Sequence, residues 1–382
     1  MNPVYLQGRG LVSSLGGNLS QALACLSSGG RAPQRMALAG GTNWPYFSID
    51  HHELDWRTRA QQIVCSAMRE AGAESCCDTP LFIASSSLDI GAIETELSAQ
   101  HGGVGARFTL RVREPLRGIA PSPFKDSYCF AEEIAAWLNW RGPVYIVVSA
   151  CTASLQALLS AHKLISSGSV SDAVVLGLEL RNRFSISGFA AMQLLTPSAP
   201  KPLGLGRDGI ALGEAVSVLH LSNRPARWRL RGGSHITDGR DPTGAIPQTV
   251  ARMCKQALAA SGLEPSDIDL VKLQAAGNPA SDGNELQGLT AIFDPLPPLV
   301  TLKAAIGHTL GASGAAEIAL LTACLEADVW SYPDYLLDPD LRAGLALAKP
   351  ESARYILANI LGFGGGHSTV ILEDMILEDS HA

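Results

Sequence analysis

Val144-Tyr145-Ile146-Val147-Val148-Ser149-Ala150-Cys151-Thr152-Ala153-Ser154 is the stretch on which the reading of this chain turns. Five apolar, mostly β-branched residues predict a short buried strand. Small residues then lead into 155–165, where the apolar positions 158, 161, 164 and 165 fall at helical spacing and Gly168 is the expected C-cap. Cys151 thereby falls at a strand-to-helix turn, in the first turn of a helix. Backbone N–H groups and the helix dipole favour thiolate there, which predicts an accessible, activated thiol. The other fate of a lone cysteine is to be packed and inert, and this stretch alone leaves both readings open.

Around it stand 382 residues, enough for two ordinary domains or one large duplicated unit. Hydrophobic residues make up 46% and charged residues 17%, so most of the chain can be core and little is tail. A formal charge of −7 argues against nucleic acid as the main partner, although a local basic patch would still suit an acidic protein. The eight cysteines include the adjacent Cys76-Cys77 but no C-x-x-C, so neither a metal site nor a disulfide framework is indicated. The opening residues carry no basic-then-apolar leader, and no apolar run approaches the ~20 residues of a membrane span. These features predict a soluble, cytoplasmic α/β protein with no bound cofactor.

Two halves repeat one plan. Helix 57–72 and strand 81–84 in the first correspond to helix 249–262 and strand 268–273 in the second. Strand 144–148 with its helix corresponds to 298–301 and helix 314–327, and each half closes on two β-rich segments: 173–178 with 215–221, and 354–359 with 368–373. Such alternation argues for mostly parallel sheets covered by helices, in two halves, 1–222 and 223–382. Residues 108–128 differ, with Arg111, Arg113, Arg117 and Lys125 interleaved with Pro115, Pro121 and Pro123. They read as a solvated insertion, or as a lid or dimer-contact segment beside a site. Gly204-Leu205-Gly206-Arg207-Asp208-Gly209 matches G-x-G-x-x-G, but proline-rich sequence precedes it and a β-rich stretch follows. It is therefore rejected as a dinucleotide fingerprint.

Two further stretches carry chemistry. Lys303-Ala304-Ala305-Ile306-Gly307-His308 places an amine and an imidazole ahead of an apolar helix that contains Glu317, and Gly362-Phe363-Gly364-Gly365-Gly366-His367 is a turn whose amides can approach a ligand. Together with Ser149-Ala150-Cys151-Thr152-Ala153-Ser154, the opening Gly8-Arg9-Gly10-Leu11-Val12 and the segment Gly206–Glu214, the set resembles the β-ketoacyl-acyl-carrier-protein synthases, the ketosynthases of the thiolase superfamily. The resemblance implies a duplicated, five-layered αβαβα thiolase-like fold with the site between the halves, and a dimer. It also implies that Cys151 accepts an acyl group from the phosphopantetheine of an acyl carrier protein. The N–H groups of Cys151 and Phe363 would form the oxyanion hole, with His308, Lys303 and Glu317 beside them.

One motif departs. The family's first histidine motif runs His-Gly-Thr-x-Thr-Pro with an Asp and a Glu downstream. Pro279, Asp282 and Glu285 fix the register, so Gln274 stands at the histidine position. Ala276 and Asn278 replace two threonines that usually hold the pantetheine arm. Glutamine can donate a hydrogen bond but cannot become a cation. The departures point away from autonomous condensation and leave acyl and carrier-protein binding in place. The resemblance therefore leads to a chain-length-factor-like partner of a complete ketosynthase, of the kind found in type II polyketide and aryl-polyene pathways. The alternative is an active homodimeric synthase that condenses malonyl units with a Cys-bound acyl group.

Overall fold

The glycines of the opening strand show how tightly the layers meet: a Cβ at Gly8 would lie 2.0 Å from the Ala71 carbonyl oxygen, and one at Gly10 2.0 Å from that of Ala67. The strand can press on its covering helix only because both lack side chains. The computed structural model describes residues 1–38, 41–50, 54–100, 126–330, 332–351 and 353–378. Ten of its strands form one sheet: β1 (Val4–Ser13), β2 (Leu81–Ala84), β3 (Val144–Val147), β4 (Asp172–Glu179), β5 (Ala215–Ser222), β6 (Trp228–Thr237), β7 (Leu270–Lys272), β8 (Leu299–Val300), β9 (Tyr355–Leu361) and β10 (Gly366–Asp374). Their spatial order is β8-β7-β9-β10-β6-β1-β5-β4-β2-β3.

Each set of five follows the same order, and the sets join first strand to first strand through antiparallel pairing of Val4 with Leu230 and Leu6 with Trp228. Parallel pairing is confined to the outer three strands of each set. The inner pairs are antiparallel, so the sheet is mixed and "mostly parallel" holds only at its two ends. For β9 and β10 the reason is plain, since a turn of a few residues cannot make the crossover that parallel strands need.

Helices α1 (Trp56–Glu70) and α2 (Ser127–Trp137) cover the outer face of the first set. Helix α3 (Ala153–Ser166) lies between the sets, touching β2 and β4 on one side and β6 and β10 on the other. Helices α4 (Pro247–Ser261) and α5 (Pro279–Thr290) form the outer layer of the second set, and α6 (Ser313–Ala327) joins α3 in the middle. The result is five layers with apolar cores between them. Ala60, Val64 and Met68 pack on Ile83 and Val216, the central helices fill the middle, and Val250, Met253 and Leu286 pack on Val271 and Leu357. Every residue of α6 from Ser313 to Leu325 is buried. An apolar helical run with no wet face belongs at the centre of a large core, so the one carboxylate within 313–325, Glu317, must be met by partners.

The strand expected at 144–148 is present but is not buried. Among the described residues β3 is an end strand of the sheet with no partner on its outer side; Tyr145 on it is 44% exposed, and Val148 just past its end is 52% exposed. At the opposite end β8 is covered, Leu299 bridging to Leu345 and accepting from the Ala346 N–H at 2.8 Å. The basic, proline-rich segment at 108–125 lies outside the described residues.

Candidate active site

Cys151 follows β3 through Ala150, which holds a left-handed φ of 47° that a residue with a Cβ rarely adopts. Such strain is often found at functional turns. Thr152, not Cys151, is the residue that caps α3. The thiol therefore sits one step before the helix and only 3% exposed. The expected activated, accessible thiol is corrected here. Burial pushes the Cys151 thiol up to about 11, although the amide N–H groups of Phe363 and of Cys151 itself and the charge of Lys303 all favour the thiolate. Desolvation of an anion outweighs three favourable dipoles and charges. The Phe363 amide N–H points at the sulfur.

His308 is locked by the first half of the chain. Its N–H donates to the Ala211 carbonyl at 2.8 Å and its carbonyl accepts from the Gly213 N–H at 3.1 Å. Around the ring the donors can be assigned in sequence. Lys303 Nζ, which can only donate, reaches Ser313 Oγ at 3.3 Å, and Ser313 Oγ lies 3.0 Å from His308 Nδ1. The Leu310 N–H also donates to Nδ1, at 3.3 Å. Nδ1 is therefore an acceptor, and the neutral ring carries its proton on Nε2, facing the pocket. Burial, with Lys303 and Lys272 adding repulsion, holds the imidazole well below its ordinary pKa, so it is a neutral donor.

Opposite Nε2, at 3.3 Å, is the carboxamide of Gln274. Its nitrogen is drawn toward the ring while Oε1 is buried without a partner. Turning the amide over lets Oε1 accept the Nε2–H and satisfies both groups. Gln274 is held by α5, where Asp282 and Glu285, three residues apart, share a face. Glu285 accepts the N–H groups of Gln274 and Ala275, both at 2.9 Å, and Asp282 accepts those of Ala276 at 3.1 Å and Leu203 at 2.9 Å. Burial lifts these carboxyls to about 6 for Asp282 and about 7 for Glu285. Both are thus supports for the loop backbone. Asn278 caps α5, its side-chain oxygen accepting from the Ser281 N–H at 3.0 Å.

The sheet order brings these groups around one narrow cavity of about 50 Å³, lined by Cys151, Gln274, Ala276, Asn278, His308 and Phe363 among others. Lys303 and Glu317 stand behind it, in direct contact with each other. The Gly204–Gly209 turn meets this loop from the first half, the Gly209 N–H donating to Gly277 at 3.1 Å, and the chain then passes into β-structure. Sequence reading missed Lys272, Ser313 and Phe189. Lys272 Nζ donates to Glu317 at 2.6 Å from inside the core, and the Phe189 ring lies 5.2 Å from that of Phe363. A lysine inside the apolar run 270–273, two residues before Gln274 and so on the same face of the chain, was the available signal for the first.

The family model for the β-ketoacyl synthase N-terminal domain matches residues 97–226, and that for the C-terminal domain matches 230–332. A 3-oxoacyl-[acyl-carrier-protein] synthase 2 from Rhizobium meliloti is 27% identical over 97% of this chain and 99% of its own length. The synthase of the same name from Mycobacterium leprae is 30% identical over 60% of this chain, and the match spans only 60% of that protein. In a match to the chloroplastic synthase II of Arabidopsis thaliana, the chain spans half of the relative's length. Among solved structures, a ketosynthase in complex with its chain length factor from Xenorhabdus doucetiae aligns with a TM-score of 0.81 at 22% identity, covering 98% of each chain. A β-ketoacyl synthase from Burkholderia phymatum aligns with a TM-score of 0.80 at 21% identity, covering 98% of this chain and all of that one. With both domain models matched in order across more than half of the sequence, and the thiolase-like fold beneath them, the chain belongs to the β-ketoacyl synthase family.

Proposed function

We propose that this chain is a chain-length-factor-like subunit of acyl-chain elongation, paired with a complete ketosynthase and served by an acyl carrier protein. The observation that carries the reading is Gln274, seated 3.3 Å from His308 where a second imidazole would stand. Decarboxylation of a malonyl thioester develops enolate charge, which preorganised donors stabilise. His308 offers one neutral N–H, and Gln274 can neither become cationic nor shuttle a proton. Acyl transfer asks less of the site. The Cys151 thiolate attacks the thioester carbonyl of the carrier's pantetheine, a tetrahedral oxyanion forms against the amides of Cys151 and Phe363, and collapse expels the pantetheine thiolate. Ala276 and Asn278 on the cavity wall would meet the pantetheine arm. The edge at β3, which no described strand pairs with, supplies a face for a partner.

One observation favours the alternative, an active homodimer: the Gln274 amide occupies the imidazole's space and can donate there. A single comparison decides between them. In the reconstituted pair, Cys151→Ala in this chain should leave most elongation activity, while the equivalent change in the partner abolishes it. Complete loss from Cys151→Ala here makes Cys151 a working nucleophile and overturns the subunit reading.

A further inference from the structure

The outer layer of the second half carries a concave face that the acyl pocket does not use. A groove of about 740 Å³ runs along the exposed flank of α4 from Pro247 to Ala259, with Gln287 of α5 and Ala291 just past it on the other side. The two helices press together at one point, where a Cβ on Gly288 would lie 2.5 Å from that of Val250. Ala251, Ala259 and Ala291 leave room beside α4, and Arg252 and Lys255 line the same groove, both exposed. Neither cation has a carboxylate partner among the described residues. Residues 247–261 contain no acid at all. The two acids of α5, Asp282 and Glu285, are buried and turned to the loop amides. Asp241, Glu264, Asp267 and Asp294, which flank the helices in sequence, do not line the groove. On a chain of net charge −7 this face is locally cationic.

We propose that this groove docks an acidic α-helix presented by a protein partner. From 247 to 259 it follows α4 for about 18 Å, roughly three helical turns, so a second helix can lie along it. With only small side chains between them, two helix axes approach to about 8 Å. Carboxylates one turn apart on the incoming helix then meet Arg252 and Lys255, which are themselves three residues apart on one face of α4. Shape and charge choose this occupant over others. A membrane surface is too flat to fill the groove, and the net charge of −7 repels nucleic acid. A second copy of this chain meeting face to face would set one cationic patch against another. The groove shares no lining residue with the cavity at Cys151, so the proposal does not depend on how that cavity is used.

Fluorescence anisotropy on the intact chain tests this with a labelled, alanine-based synthetic helix carrying glutamate at every fourth position. At low salt the wild-type chain should bind it saturably, and the same helix with lysine in place of glutamate should not bind. Arg252→Glu combined with Lys255→Glu should weaken binding about tenfold, the order expected when two exposed ion pairs become repulsions. Ala259→Trp fills the groove without changing its charge and should weaken binding comparably; it decides alone where the double variant does not fold. Arg69→Glu, an exposed charge reversal on α1, should leave binding intact. Absence of saturable binding overturns the proposal. So does binding that the folded groove variants keep, or that Arg69→Glu reduces as much as they do. Binding to phosphatidylserine vesicles, or self-association, that the groove variants abolish would assign the face to a membrane or to a second copy and overturn it as well.

Discussion

Gln274 and His308 meet with one proton between them. The relay from Lys303 through Ser313 fixes that proton on His308 Nε2, where it is shared with the carboxamide. An imidazole at 274 would add a second donor, or a cation, to the space where enolate charge would form under the proposed function. Removing one preorganised donor from such a site typically costs about 10²–10³ in rate. Gln274→His should therefore raise malonyl-carrier decarboxylation by up to about that factor. Release of carbon dioxide by the purified chain measures it. A wild-type chain that already decarboxylates as fast as the variant would show that the carboxamide suffices and would favour the homodimeric synthase. At Cys151 the balance is different. The helix and its neighbouring amides do pull toward thiolate, but a sulfur 3% exposed loses more solvation than they return.

Helix α5 holds the altered motif in place. Its Glu285 carries a carboxyl lifted by burial from 4.5 to about 7, so the folded chain binds a proton there that the unfolded chain releases. The stability this group contributes is complete below pH 4.5 and is lost as pH rises through about 7. A glutamine at 285 does not titrate, although it supplies one acceptor oxygen where Gln274 and Ala275 need two. Glu285→Gln should lower Tm at pH 5, and the deficit should shrink as pH rises to 8. Thermal melts across that range check it, and a constant deficit would mean that Glu285 ionises normally in the folded state. Asp282, lifted only to about 6, should show the same trend at lower pH.

Across the whole molecule the two ends of the sheet are unlike. β8 is closed by the segment at 345–346, whereas among the described residues nothing pairs with the outer edge of β3, and Tyr145 and Val148 there are exposed. An open apolar edge invites another strand, and stable subunit interfaces of this kind bury ~2,000 Å² or more. Val148→Asp should therefore break co-purification with the proposed ketosynthase partner, while Tm of the isolated chain moves little because the side chain is half exposed. Retention of the complex by a folded Val148→Asp chain would place the interface elsewhere.

Much of this was legible along the chain. Residues 144–154, 303–308 and 362–367 carry strand, turn and glycine signals within a dozen residues of the groups they position, because local backbone geometry is a local property. The register that assigns Gln274 to the missing imidazole needed only Pro279, Asp282 and Glu285, all on the next helix. What tertiary structure alone decided concerns solvation and distant partners. β3 reads as a buried strand from its residues, but burial depends on what lies beside it, and no described strand lies on its outer side. Cys151 reads as an activated thiol from its helix, but its pKa depends on how completely the second half covers it. The resemblance already set Lys303 and Glu317 beside the site, but Lys272 lies 45 residues before Glu317, and no spacing rule brings it to them. Only the folding of β7 against α6 brings Lys272 into that buried cluster, since charge and desolvation act through space and not along the sequence.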